Sequence, residues 1–81
     1  MTFTEDIQHY ADAIMVMIKQ DQDTGQVPQG VCSLDELDDT VDVGDYYRLA
    51  RMPHGTGEAD RLRDAVGDEV ARRLAGAQAV P

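Results

Sequence analysis

Apolar residues recur at Phe3, Ile7, Tyr10, Ile14 and Met17, alternating spacings of four and three that align them along one side of an α-helix. Thr2 with Glu5 offers a capping box for its first turn, and the next position in the series is the charged Asp21. The pattern predicts a long amphipathic helix from Thr2 to about Gln20. Ala11, Met15 and Ile18 widen the stripe, as befits a helix packed against two neighbours, while Val16 falls off it as a surface residue. A second pattern starts at Ser33, an N-cap whose partner Glu36 stands three residues on; Leu34, Leu37 and Val41 share one face, and Cys32 can staple onto Leu37. This helix is expected to stop at Gly44. Asp45 then caps a brief helix from Tyr46 to Arg51 with Tyr46, Leu49 and Ala50 inward, and Pro53 disfavours helical geometry at Met52. Thr56 caps a last helix, in which Ala59, Leu62, Val66, Val70 and Leu74 form one stripe and Gly76 marks the end.

Between these elements, residues 21–30 and 52–57 carry the Gly and Pro of loops. Gly67 lies inside the last helix at a cost of about 1 kcal/mol relative to Ala, which a packing contact can require. Acid-to-arginine pairs at Glu58/Arg61, Asp60/Arg63, Asp68/Arg72 and Glu69/Arg73 are set to lace its outer side. The expectation is an all-α fold: a small single-domain bundle of three main helices and one short one over residues 1–76. The Ser33 segment is expected across the first and last helices, and 77–81 as a frayed tail.

Composition narrows this further. With 81 residues there is room for one small core, and the absence of Trp with one Phe and three Tyr favours helix over strand. A single Cys excludes an internal disulfide and a multi-Cys zinc site, which suits a reducing cytoplasm; Cys32 reads as a small buried thiol. No apolar run is long enough to span a bilayer, and the chain opens with acids where a signal peptide would be basic, so a cytoplasmic protein without membrane contact is expected. The net charge of −9 is uneven: residues 1–45 hold eleven acids against Lys19, and 46–81 hold five acids against six arginines.

Residues 33–42, S-L-D-E-L-D-D-T-V-D, lie in a stretch, 31–46, that resembles a segment of short uncharacterised proteins from actinobacteria and their phages. In those a Ser-x-x-Glu-Leu-x-Asp-x-Val-Asp run precedes a turn and an aromatic residue. The chain departs from the pattern at Asp38, Val43 and Gly44. The resemblance implies a small cytoplasmic or phage-encoded protein and carries no activity.

Chemistry-bearing constellations are sparse. The D-x-D-x-G run from Asp21 fails as a calcium loop, because Gly25, Gln26 and Cys32 occupy positions that need an oxygen ligand, a glycine and an acid. Asp35, Asp38 and Asp42 share a helical flank but lack enclosing carbonyls, and His9 and His54 are far apart in sequence. No phosphate-binding loop, zinc-protease, nucleophile-elbow or paired-cysteine motif is present. No catalytic residue, metal or cofactor is therefore expected. Six arginines in the second half raise direct nucleic-acid binding, which the overall charge opposes. The reading that follows is a non-enzymatic interaction module. Asp35, Asp38, Asp39, Asp42, Tyr46 and Tyr47 are expected to engage a protein partner, with one of the adjacent tyrosines exposed as an anchor. The alternative is a DNA-mimic inhibitor of a nucleic-acid-binding protein. A heptad-like first helix also makes a second copy of the chain a candidate partner.

Overall fold

The computed structural model describes residues 2–78, and the chain is all-α, with four helices and no strand among them. Helix α1 spans Phe3–Asp23, α2 Leu34–Asp38, α3 Val43–Leu49 and α4 Gly57–Gln78. Thr2 caps α1 as its residue type predicts, its Oγ1 accepting from the Glu5 amide at 3.1 Å. The helix continues past Gln20 to Asp23, so Asp21 marks the end of the apolar stripe and not the end of the helix. The buried line runs through Ala11, Ile14 and Ile18, flanked by the partly covered Ile7, Tyr10, Met15 and Met17, and Phe3 is left 52% exposed.

The segment expected as one helix from Ser33 to Gly44 is two. Ser33 caps α2 as expected, its Oγ accepting from the Glu36 amide at 3.2 Å, but Glu36 reaches back to the Cys32 amide, where a capping box would use that of Ser33. Helix α2 closes at Asp39, and Asp42 opens α3 by accepting from the Gly44 amide at 2.9 Å. Asp39, Thr40, Val41 and Asp42 are all weak helix formers, and Asp42 does more for the backbone as a cap than inside a helix. Gly44 is therefore in the first turn of α3. A Cβ there would stand 3.1 Å from the capping Asp42 oxygen, which is where its lack of a side chain matters. Asp45, expected as the cap, instead pairs with Arg48 one turn on. Leu49, expected inward, is 68% exposed, while Tyr46 is buried.

Helix α3 ends in a Schellman motif, with the Met52 amide donating to the Tyr47 carbonyl and the Arg51 amide to that of Arg48. Arg51 fills the left-handed position of this motif at φ 60°, a site that favours glycine. Thr56 caps α4 by accepting from the Ala59 amide at 3.0 Å, and Ala59, Leu62, Val66, Val70 and Leu74 are all buried, as the stripe predicts. Helix α4 runs through Gly76 to Gln78, and the remainder of the expected tail lies outside the described residues.

The two long helices, of 21 and 22 residues, form the principal pairing. Phe3 borders a groove shared with Ala59 and Leu62, and Gln8 and Asp12 meet Arg73 further along, so α1 and α4 lie side by side in the same direction. Short connections join antiparallel neighbours; here the long connection of 24–56 carries the chain back to the start of the pair. On that return path α2 packs on α4 and α3 on α1, and the connector adds Val27, Val31 and Met52 to the core. Of the four expected pairs on α4, Glu69–Arg73 forms; Arg72 turns to Glu69 as well, and Arg63 lies over the Tyr47 ring.

Candidate functional site

The acids expected at a partner-binding face sit on either side of the break between α2 and α3. Asp35, Asp38, Asp39 and Asp42 are all exposed. Two of them are held by the backbone: Asp38 accepts from the Val43 amide at 3.2 Å across the break, and Asp42 caps α3. Asp35 stands in the first turn of α2, where a carboxylate suits the positive end of the helix, and Asp39 closes the same helix with its backbone. The break thus spreads the carboxylates around a corner, where a continuous helix would have lined them up on one flank. Among the described residues no three His, Cys, Asp or Glu side chains come together as a metal-ligating set.

The two tyrosines turn to opposite sides of α3. Tyr46 is only 4% exposed, and its hydroxyl donates to Asp21 Oδ2 at 2.6 Å, tying α3 to the last turn of α1. Burial first, and that carboxylate second, push its phenol well above the ordinary tyrosine range. Tyr47 packs toward α4 with Arg63 at 4.8 Å over its ring, and its hydroxyl approaches Gly67 so closely that a Cβ there would stand 2.8 Å away. Burial raises its pKa too, and the Arg63 charge opposes this. Tyr46 is therefore a core residue, and Tyr47 is the one of the pair with surface to offer. Asp21, expected only to end the apolar stripe of α1, is thus the hydrogen-bond partner of a core tyrosine, a pairing that no spacing announces.

Cys32 is half-buried beside Glu36, with Sγ 3.6 Å from Oε1. The carboxylate charge, then its hydrogen bond, raise the thiol pKa, which disfavours the reactive thiolate. On the far side of α4, Glu69 takes hydrogen bonds from Arg72 and Arg73 that hold its carboxyl below the usual range, and Arg73 continues to Asp12 Oδ1 at 2.6 Å and Gln8 Oε1 at 2.5 Å on α1.

One grouping could not be read from spacing. Arg48 and Arg51 at the end of α3, His54 in the following loop and Arg63 on α4 line a single cleft of about 450 Å³ together with Tyr47 and Asp42. Among the described residues, neither Arg51 nor Arg63 has a carboxylate within ion-pairing distance. No helix in the described residues is long and apolar enough to cross a membrane. Comparison with protein-family models, with curated proteins and with solved structures returns no match to this chain.

Proposed function

We propose that the chain is a small non-enzymatic interaction module, built as a compact helical bundle, that engages a basic protein surface through the acidic corner between α2 and α3. The observation that carries this reading is the exposure of Asp35, Asp38, Asp39 and Asp42 around a break whose own caps hold two of them in place. Carboxylates fixed in this way present charge to a partner with little further loss of side-chain freedom. Tyr47, which lines a cleft together with Asp42, supplies the aromatic part of the contact, while Tyr46 ties α3 to α1. The likeness of residues 31–46 to short actinobacterial and phage proteins supports a cytoplasmic setting of that kind.

The test uses Asp35→Asn with Asp39→Asn, which removes two charges and spares the caps made by Asp38 and Asp42. Proteins retained from a host lysate by the immobilised parent chain are compared with those retained by the double variant, at rising salt. A specific protein held by the parent and lost by the variant supports the acidic corner; equal retention reduces it to solubilising surface. Displacement of that protein by added duplex DNA would favour the DNA-mimic reading.

A further inference from the structure

Most of the chain's surface charge is negative, yet its cationic groups are not scattered evenly through it. Of the seven lysines and arginines, three converge with His54 on the cleft between the end of α3 and the first half of α4. Arg48 is paired with Asp45, while Arg63 lies with its guanidinium over the face of Tyr47 and lines the cleft from α4. Arg51 has no carboxylate partner among the described residues.

The backbone at Arg51 adds an independent observation. Its position at φ 60° closes the Schellman motif of α3, and that position is occupied most cheaply by glycine. A long cationic residue there gives up stability in return for a guanidinium at the mouth of the cleft. Residues held in sparsely populated backbone regions cluster at sites of function.

We propose that this cleft binds a compact phosphate-bearing ligand. The class follows from donor geometry. Guanidinium groups from the end of α3 and from α4 line the cleft together with the His54 imidazole, a set of donors that a tetrahedral phosphate with many acceptor oxygens satisfies better than one planar carboxylate. Compactness follows from the surroundings. Asp42 is itself among the lining residues, so an extended polyanion would meet like charge there, whereas a small ligand can sit among the arginines. The cleft shares Asp42 and Tyr47 with the face proposed above but not Asp35 or Asp39, so arginine variants read phosphate binding and the Asp35/Asp39 variant reads the protein partner.

Pyrophosphate is the probe, titrated calorimetrically into the full chain at low ionic strength, with citrate and a short duplex DNA as comparison ligands. Saturable one-to-one binding of pyrophosphate is expected, at least tenfold tighter than citrate. Arg51→Gly removes the charge while relaxing the backbone, so it should weaken binding at least tenfold with a thermal midpoint equal to or above the parent's. Arg63→Gln should weaken it by a similar factor, and Arg72→Gln, on another face, should leave it within twofold. Unsaturable binding, an unchanged affinity in Arg51→Gly, or an equal loss in Arg72→Gln would overturn the site. Citrate binding as tightly as pyrophosphate would overturn the phosphate assignment, and duplex DNA binding more tightly would overturn the compact ligand.

Discussion

Tyr46 shows how one side chain can serve burial and hydrogen bonding together. Its ring fills the space between α3 and α1, and its hydroxyl donates to the carboxylate of the half-buried Asp21. Tyr46→Phe keeps the ring and removes the bond. Because Asp21 retains access to water, the cost is expected at about 1 kcal/mol, a fall of about 4–8 °C in Tm for a domain of this size. Tyr46→Ala empties the space as well and should cost about 3–5 kcal/mol. The same residue sets an alkaline limit. Its ionisation in the folded chain lies above that of an unfolded tyrosine, near 10. The stability it contributes is therefore complete below about that pH and is lost as pH rises further. Followed by phenolate absorbance and circular dichroism together, Tyr46 should ionise only as helix is lost; ionisation well before any loss of helix would break the link between its burial and the fold.

Among the elements, the contact of α3 with α4 rests on a missing side chain. Gly67→Ala should gain about 1 kcal/mol from helix propensity, but its Cβ would stand 2.8 Å from the Tyr47 hydroxyl and 3.4 Å from Leu34 Cδ1. The Tyr47 ring is rigid and backed by Arg63, so overpacking at about 1–3 kcal/mol is expected to win. Tyr47→Phe in the same chain removes the offending oxygen and should restore at least half the loss, a coupling that a double-mutant cycle in urea reads directly. The sequence did indicate a reason for Gly67, and it marked the α4 stripe and the caps at Thr2, Ser33 and Thr56 correctly, because those depend on local geometry and a strong period. It failed where two local rules competed. Asp42 could be a surface acid of a longer helix or the cap of a new one, and the weak helix formers Asp39, Thr40 and Val41 decided for the cap. Val27 is buried between polar residues with no period to announce it, and the meeting of Arg51 with Arg63 depends on how the connector returns, which no spacing encodes.

At the scale of the whole molecule, the charge of −9 sets like carboxylates against one another, and the ion pairs that oppose this among the described residues are few and, apart from Arg73–Glu69, have at least one side chain open to water. Screening should relieve more repulsion than the attraction it weakens, since exposed pairs contribute only about 0–1 kcal/mol each. Raising sodium chloride from low to physiological strength is expected to raise the melting temperature by a few degrees; a fall would mean that the Arg73 network outweighs the net charge. Self-association is a separate question. Of the first-helix stripe, Ile14 is buried and Ile7, Tyr10 and Met17 are packed against the core and partly covered, and the exposed Phe3, Val16 and Leu49 lie on different faces or elements. Sedimentation at micromolar concentration is expected to return a monomer, and a dimer would show that those residues meet across a twofold axis.

The parallel course of α1 and α4 has a kinetic consequence. Neighbouring helices joined by a tight turn can zip from that turn, but here the best-packed pair stands at opposite ends of the chain, and α2 and α3 are too short to persist alone while the ends search. The transition state must close the whole connector before α1 and α4 reward it, so folding should be slow for an all-helical domain, in about milliseconds and not microseconds. A flexible insert at the Gly25 turn tests this, since closure entropy rises by about 0.6 kcal/mol for each doubling of the loop. The folding arm of the chevron should drop by up to about threefold while the unfolding arm stays in place. A rise confined to the unfolding arm would place the meeting of the chain's ends after the barrier, with the crossover already formed by then.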